Sequence, residues 1–471
     1  QVMTDAEVTE KNFTAIAVYS NMPQTAKFEC GHSGINQLFS NAVWSMKGNF
    51  LEIPTDCPTR ERTGFTGDAQ VFVNTGMYLM ECYPVYRKFL NELRAVKRDG
   101  GCVSQTAPSG KGHLFDGSTG WSDAIDLIPW RMYLRYGNQD ILKENYEKIK
   151  EWLDFSLERA KEDNPGRVRG KDDQYHSYLL DTGWHWGEWI EPDWNGFISG
   201  EDPGGAYLRD IHDHGAPEVC TAHLSYGCQI AAEVAQLLGR KEEADYYCEM
   251  RRLTKLAYRE ACMENGRMKQ KRQCDYVHAV MFDMITDEEK KTACDELNEM
   301  IVENGFHLNT GFLSTCELLR VLSDYGHADT AWSLMLQDTY PGWLYQLKYH
   351  ATTIWEDWKG MEEGKEPKDS MNHYSFGTFA GWLMDRAAGI RVEEGKIQIC
   401  PVPDRRIGYV KAVYDSPLGE IRSSWEYVDA LFRLEVEIPP NVTAEVIMPD
   451  GTRHEAGAGI HVYEIAGESV D

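Results

Sequence analysis

Residues 51–70 form a segment that prolines and glycines keep from becoming a regular helix or strand, and five charged side chains lie between its positions 56 and 68. The five are Asp56, Arg60, Glu61, Arg62 and Asp68. Crowding three carboxylates onto one loop is unfavourable unless they face a polar ligand or pair with cations. The segment therefore predicts either a ligand-binding loop or a solvated, salt-bridged surface loop.

A second segment, residues 352–358, places Glu356 between Trp355 and Trp358. Aromatic rings beside a carboxylate suit a sugar, because a sugar ring has a C–H face for stacking and hydroxyl groups for hydrogen bonds. Apolar surroundings also raise the pKa of a carboxyl group, which acid–base chemistry requires. The alternative is a helix end whose tryptophans belong to the core.

Two carboxyl groups with aromatic neighbours favour hydrolysis of a glycosidic bond. One would protonate the leaving oxygen, while the other would activate water or attack the sugar directly. Glu61 and Glu356 are the candidates, since a closed barrel brings distant segments together. Asp56, Asp68 and Arg60 would then hold hydroxyl groups. The chain has no Gly-x-Ser-x-Gly motif, no P-loop and no dinucleotide-binding glycine turn.

Charge and cysteine spacing limit the partners and the compartment. The net charge of −27 over 471 residues argues against nucleic acid and anionic membranes as partners. The 12 cysteines form no Cys-x-x-Cys pair, which predicts free, mostly buried thiols, no zinc site and a cytoplasmic protein. No apolar run is long enough to cross a membrane. The chain begins at Gln1, so we expect that an upstream part is missing or processed away.

Hydrophobic periodicity predicts a mainly α-helical protein with three regions. Residues 1–25 contain one β-type run, Phe13–Tyr19, and read as a strand or linker left from an upstream β domain. Residues 26–388 read as about a dozen helices, Ala124–Tyr136, Lys241–Asn265 and Tyr374–Ala388 among them. Helix pairs in a closed toroid fit this pattern, and so does an open helical array. Residues 389–471 predict a small antiparallel β-sandwich.

Several motifs together resemble the bacterial α-L-rhamnosidases of glycoside hydrolase family 78. The resemblance is collinear over about residues 26–388. The motifs are Gly48-Asn-Phe-Leu51, DCPTRERTGFTGDAQ at 56–70, Gly120-Trp-Ser-Asp-Ala124, Pro129-Trp with Arg135-Tyr-Gly137, Gly187-Glu-Trp189, TTIWEDW at 352–358 and Asn372-His-Tyr374.

This resemblance implies an (α/α)6 barrel and an inverting mechanism without a metal or cofactor. By motif position, Glu61 is the general acid and Glu356 the general base. Phe65 stands where the family more often has Trp, and Glu188 stands where Asp is common. The implied substrate-binding residues are Asp56, Arg60, Phe65, Asp68, Trp121, Asp123, Trp184, Glu188, Trp189 and His373.

The implied substrate is a glycoside or oligosaccharide with a terminal α-L-rhamnose. Two alternatives remain open at this point: a non-catalytic sugar-binding relative, and another helical-toroid hydrolase or a polysaccharide lyase. The group attached to rhamnose is not predicted, because we expect leaving-group selectivity to lie in residues 99–120 and 162–215. A homodimer is one of the oligomeric states that the sequence allows.

Overall fold

The computed structural model describes residues 3–109, 115–162, 164, 174–192 and 215–466. Within these ranges, a helical region is followed by a region of β-strands, which confirms the predicted fold class. No helix in this part of the chain combines the length and the apolar character needed to cross a lipid bilayer. All 12 cysteines are free thiols and most are buried, as predicted.

The helical region contains twelve α-helices among the described residues. Their bounds are α1 Ser33–Asn49, α2 Thr66–Leu79, α3 Tyr83–Ala95, α4 Ala124–Tyr136, α5 Asp140–Arg159, α6 Pro217–Leu237, α7 Lys241–Cys262, α8 Gln273–Met281, α9 Asp287–Glu303, α10 Phe312–Asp324, α11 Ala328–Met335 and α12 Phe379–Trp382. A 3₁₀ turn, Ser375–Thr378, precedes α12, and a π-helical turn, Leu383–Ala387, follows it.

Six of these described helices close into a ring. The helix α2 packs on α4, α4 on α6, α6 on α8, α8 on α10, α10 on α12, and α12 returns to α2. The remaining helices pack outside this ring, with α5 on α4 and α7 on α6. The contact between α12 and α2 closes the toroid, so the alternative of an open helical array is wrong.

Local sequence explains where these helices begin and end. In α4 the buried positions Ile125, Ile128 and Met132 recur at helical spacing, and Gly137 ends the helix with a φ of 69°, in the left-handed region. Pro84 lies in the first turn of α3, where the backbone N–H that proline lacks would have no acceptor within the helix. It therefore separates α2 from α3 rather than kinking one long helix.

Nine of the described β-strands form a sandwich of two sheets, and two short hairpins of two strands each lie outside it. The sandwich strands are β1 Ala26–Cys30, β6 Ile390–Glu393, β7 Lys396–Ile399, β8 Tyr409–Ser416, β9 Gly419–Val428, β10 Leu431–Ile438, β11 Ala444–Ile447, β12 Arg453–Ala456 and β13 Gly459–Ala466. One sheet has the order β1-β8-β9-β10-β13 and the other β12-β11-β7-β6. All described pairs in these sheets are antiparallel except β11 with β7.

In the amino-terminal region one of the two predicted alternatives, a strand, is wrong. Residues Phe13–Tyr19 form no strand, and Ile16 and Val18 are exposed because no neighbouring strand pairs with them. Instead Ala26–Cys30 forms β1, which pairs antiparallel with β8. The predicted boundary at residue 26 therefore places in the barrel a strand that belongs to the sandwich.

Buried hydrogen bonds join the sandwich to the barrel. The hydroxyl of Tyr414 in β8 donates to the carbonyl of Met77 in α2 at 3.0 Å. The indole of Trp425 in β9 donates to the carbonyl of Ala387 at 2.7 Å. The hydroxyl of Tyr78 donates to the carbonyl of Ile390 at 2.9 Å. The two regions thus share one buried interface beneath α2.

Candidate active site

The charged loop before α2 is held in one shape by its own backbone. It follows a tight hairpin of two short strands, β2 Phe50–Leu51 and β3 Ile53–Pro54. The amide of Asp56 donates to the carbonyl of Thr63 at 3.0 Å, and the amide of Thr63 donates to Oδ1 of Asp56 at 2.8 Å. Between them, the amide of Glu61 donates to Sγ of Cys57 at 3.3 Å. These hydrogen bonds fix the position of the Glu61 backbone.

Glu356 lies on a second segment that faces this loop. Its carboxylate accepts the amide of Ser370 at 3.0 Å, and its own amide donates to the carbonyl of Ser370 at 2.9 Å. Arg60 joins the two segments: its Nη1 lies 2.9 Å from Asp369 and 3.9 Å from Glu356. The structure therefore brings Glu61 and Glu356 together although almost 300 residues separate them in the sequence.

The two segments enclose a cavity of about 260 Å³. Its wall combines carboxyl groups, one histidine and five aromatic rings. The lining residues are Asp56, Glu61, Phe65, Asp68, Trp121, Trp186, Trp189, Phe312, Glu356 and His373. Aromatic faces beside converging polar groups are typical of a sugar-binding cavity.

The cavity lies at the amino-terminal ends of inner helices. Asp68 is in the first turn of α2, Phe312 is the first residue of α10, and His373 comes just before the turn that leads to α12. The amino-terminal end of a helix carries a partial positive charge. This end of the barrel therefore favours the several carboxylates that the loops place there.

His373 and Asp68 form a buried pair in the cavity wall. Nε2 of His373 lies 2.9 Å from Oδ1 of Asp68, which also accepts the hydroxyl of Ser375 at 3.2 Å. Burial lowers the pKa of His373, but the hydrogen bond and the charge of Asp68, together with the charges of Glu356 and Asp56, outweigh burial, so the pKa of His373 is raised. The pair thus favours a cationic His373 beside Glu356.

The pKa of Glu61 and that of Glu356 are both raised, mainly by burial, but their charged neighbours differ. Burial and then the charges of Asp56, Glu356 and Asp68 raise the pKa of Glu61, and Arg60 opposes them. Burial raises the pKa of Glu356; the charge of His373 and the amide of Ser370 oppose it, while the charges of Asp369 and Asp68 add to it. Glu61 is therefore surrounded by carboxylates, whereas Glu356 has a cation and a hydrogen-bond donor.

Four of the residues that the resemblance assigned to sugar binding do not line the cavity. Asp123 is buried and accepts the amide of Gly120 at 2.6 Å and the indole of Trp152 at 2.9 Å. Glu188 is buried behind the wall. Trp184 packs on Phe115, with ring centroids 4.3 Å apart. Arg60 lies at the edge, next to Glu356.

Two lining residues, Trp186 and Phe312, were not predicted. The indole of Trp186 donates to Oε1 of Gln105 at 2.6 Å, which turns its ring into the cavity. The available signal was the position of Trp186 two residues after Trp184, because residues two apart in an extended segment face the same side. Phe312 had no comparable signal, since it is the first residue of an ordinary amphipathic helix.

Two known domain families match most of the chain. Residues 23–387 match the bacterial α-L-rhamnosidase six-hairpin glycosidase domain, and residues 395–462 match the bacterial α-L-rhamnosidase C-terminal domain. The chain belongs to the bacterial α-L-rhamnosidase family. The family that the sequence motifs indicated is thus confirmed.

Individual relatives of this family resemble most of the chain. An α-L-rhamnosidase of Formosa agariphila is 34% identical over 449 residues, which are 92% of this chain and 45% of the relative. One of Streptomyces avermitilis is 31% identical over 474 residues, which are 97% of this chain and 42% of the relative. The chain therefore spans less than half the length of these curated α-L-rhamnosidases.

Solved structures of α-L-rhamnosidases share the fold. The Streptomyces avermitilis α-L-rhamnosidase complexed with L-rhamnose superposes with a TM-score of 0.82 at 30% identity, over 95% of this chain and 43% of that one. The native enzyme of Aspergillus terreus gives a TM-score of 0.85 at 29% identity, over 98% of this chain and 52% of that one.

The loops predicted to determine leaving-group selectivity, 99–120 and 162–215, lie partly outside the described residues, at 110–114, 163, 165–173 and 193–214.

Proposed function

We propose that this chain is an inverting α-L-rhamnosidase that removes terminal, non-reducing α-L-rhamnose from glycosides. The observation that carries the proposal is one aromatic-lined cavity holding both Glu61 and Glu356 in a chain of this family. A relative has been solved in complex with L-rhamnose, which supports rhamnose as the sugar. The substrate would be a rhamnose-containing glycoside or oligosaccharide.

In this proposal Glu61 is the general acid. No described side chain donates a hydrogen bond to its carboxyl group, and its charged neighbours Asp56, Asp68 and Glu356 disfavour ionisation. A carboxyl group in such surroundings keeps its proton to a higher pH. It would give that proton to the glycosidic oxygen as the bond to the leaving group breaks.

Glu356 is the proposed general base. The amide of Ser370, together with the charges of His373 and Arg60, favours its ionised form. An ionised carboxylate accepts a proton from water as that water attacks the anomeric carbon. In an inverting reaction this attack comes from the face opposite the leaving group.

The remaining wall residues would hold the sugar. Asp56, Asp68 and His373 offer acceptors and a donor to its hydroxyl groups. Rhamnose also has a methyl group at C6, which suits the aromatic rings of Trp189 and Phe312 better than a polar wall would. Phe65 gives a smaller stacking surface than the Trp that is more common in the family.

The two catalytic roles predict different responses to the leaving group. We would assay the wild-type chain, Glu61→Gln and Glu356→Gln on p-nitrophenyl and methyl α-L-rhamnopyranoside. Glu61→Gln should lose at least about 100-fold more kcat on the methyl glycoside than on the aryl glycoside, because nitrophenolate leaves without a proton. Glu356→Gln should lose about 100-fold or more on both, since both need the activated water.

The matched control is Glu52→Gln, an exposed glutamate of the preceding hairpin, whose rates should equal those of the wild type. Equal losses of Glu61→Gln on the two substrates would contradict the acid role. Wild-type chain that binds L-rhamnose in calorimetry but releases no product would instead favour the non-catalytic alternative.

The stereochemical outcome tests inversion separately. Proton NMR of the first turnovers should show β-L-rhamnose appearing before the anomers equilibrate, because water attacks opposite the leaving group. The α-anomer as first product would mean that a carboxylate attacks the sugar directly, and would overturn the inverting assignment.

A further inference from the structure

Glu188 is a fully buried carboxylate, and all of its described hydrogen-bond partners are groups of the protein itself. One oxygen, Oε1, lies 2.6 Å from Nε2 of His278. The other, Oε2, accepts the amide of Gly311 at 2.8 Å, the hydroxyl of Ser314 at 2.7 Å and the amide of Ser314 at 3.3 Å. A substrate hydroxyl would have to displace one of these donors to reach it.

The donors come from the first turn of α10. Gly311 precedes the helix, and Ser314 is its third residue. The first amides of a helix have no acceptor within the helix, so a carboxylate from elsewhere can cap them. Glu188 thus acts as the cap of α10, although 123 residues separate it from Gly311.

This cap holds two segments in close contact. The amide of Phe312 donates to the carbonyl of Trp189 at 3.0 Å. A Cβ atom added at Gly311 would lie only 2.6 Å from that carbonyl oxygen. Glycine is therefore required at this approach, and the loop around Glu188 has little freedom to slide along α10.

The residues next to the cap are the aromatic wall of the cavity. Trp189 follows Glu188 and Phe312 follows Gly311, and both rings line the cavity while Glu188 does not. The ring of Phe312 also lies 5.2 Å from that of His373. A shift of this wall would change both the stacking surface and the surroundings of the Asp68–His373 pair.

We propose that Glu188 is a positioning residue that acts on the substrate through Trp189 and Phe312, by clamping the loop of the one to the first turn of α10 that carries the other. The role of this wall in rhamnose binding rests on the proposed function. The clamp needs an acceptor at Oε2 more than it needs a negative charge, since three of the four partners donate to that one oxygen. Glutamine supplies that oxygen, and its amide nitrogen can donate to His278.

The experiment compares Glu188→Ala, Glu188→Gln and Ser314→Ala on p-nitrophenyl α-L-rhamnopyranoside. Glu188→Ala should lower kcat/KM by at least about tenfold, mainly through KM, because a displaced wall weakens sugar binding. Glu188→Gln should recover most of this loss. Ser314→Ala, which removes a single donor with little change of volume, should raise KM in the same direction by a smaller factor.

Asp385→Asn is the matched control. Asp385 is a buried carboxylate that accepts a hydrogen bond from Arg320 at 2.9 Å and is absent from the cavity wall. Asp385→Asn removes the charge of this carboxylate, which should lower the melting temperature of the protein and leave KM unchanged. A rise of KM in this control equal to that in Glu188→Ala would reduce the effect to general destabilisation and overturn the proposal.

A combined variant separates positioning from direct contact. If Glu188 acts through Trp189 and Phe312, adding Glu188→Ala to a variant that already carries Trp189→Ala and Phe312→Ala should lower kcat/KM by no more than about a further twofold. If the losses of kcat/KM instead multiply, or if Glu188→Gln is as defective as Glu188→Ala, Glu188 contacts the sugar itself.

Failure of the proposed function gives a different result. Wild-type chain that neither hydrolyses the glycoside nor binds L-rhamnose would contradict the rhamnosidase assignment and not the clamp. Crystal structures then decide the clamp: the rings of Trp189 and Phe312 should be displaced in Glu188→Ala and in place in Glu188→Gln. Unmoved rings in Glu188→Ala would overturn it.

Discussion

Glu61 and Glu356 share one cavity, but each carboxyl group has neighbours of a different charge. Asp56 lies among the anions that raise the pKa of Glu61, whereas His373 is the main group that lowers the pKa of Glu356. The proposed acid must be protonated and the proposed base ionised. Activity should therefore fall at high pH as Glu61 loses its proton, and at low pH as Glu356 gains one.

Each neighbour should control one side of this pH profile. Asp56→Asn removes a negative charge near Glu61, which lowers the pKa of Glu61 and moves the high-pH decline of kcat/KM to lower pH. His373→Gln removes a positive charge near Glu356, which raises the pKa of Glu356 and moves the low-pH decline to higher pH. Profiles of kcat/KM on the aryl rhamnoside measure both positions.

Both variants also lose sugar contacts, so the positions of the two declines and not the maximal rate are compared. Glu52→Gln should leave both positions unchanged. A profile in which Asp56→Asn moves the low-pH side, or His373→Gln moves the high-pH side, would exchange the roles proposed for the two glutamates.

At the scale of single elements, local sequence patterns were enough to predict most helices. The predicted Ala124–Tyr136 agrees with α4 at both ends, because helical spacing of apolar residues and a final glycine are signals that lie within the helix itself. The predicted Lys241–Asn265 is too long. It ends at Cys262, and the pair Asn265-Gly266, with φ of 51° and 76°, turns a short hairpin of β4 Met263–Glu264 and β5 Arg267–Met268.

Elements that depend on distant partners could not be predicted in this way. Ala26–Cys30 is a strand because β8, almost 380 residues later, pairs with it, whereas the more apolar Phe13–Tyr19 has no such partner. The predicted helix Tyr374–Ala388 is broken into a 3₁₀ turn, α12 and a π-helical turn. No proline marks these changes in the sequence.

The same limit explains the candidate site. Motif residues such as Asp56, Glu61 and Glu356 were predicted because their types and order carry the signal. Whether a carboxylate faces the cavity or lies behind its wall depends on packing between helices, so Asp123 and Glu188 were assigned to the sugar. The structure instead gives them amide and indole donors of the protein.

At the scale of the whole molecule, the barrel and the sandwich meet through an aromatic and cationic cluster. The guanidinium of Arg135 lies 3.8 Å from the ring centre of Tyr78, and the rings of Tyr78 and Tyr414 are 5.0 Å apart. Tyr414 belongs to the sandwich, while Arg135 and Tyr78 belong to inner helices of the barrel. Loss of Tyr414 should therefore weaken both regions together.

Tyr414→Ala should lower the free energy of unfolding by about 3–5 kcal/mol, since it empties a fully buried aromatic site. Tyr414→Phe should lower it by about 1–2 kcal/mol, because the ring stays and only the hydroxyl is lost, which donates to the carbonyl of Met77 and accepts from Nη1 of Arg135. Urea denaturation followed by hydrogen exchange and mass spectrometry measures the barrel and the sandwich separately. Both should lose protection in one transition.

Tyr409→Ala is the matched control for this interface. Tyr409 lies on the same strand as Tyr414, and its hydroxyl donates to Glu29 at 2.7 Å on the outer side of the sheet, away from the barrel. Its loss should change the free energy of unfolding by less than about 1 kcal/mol. If Tyr414→Ala instead unfolded the sandwich at low urea while α2 and α4 kept their protection, the barrel would be stable without the sandwich. The cluster around Arg135 would then bind the sandwich to the barrel without stabilising the ring of helices.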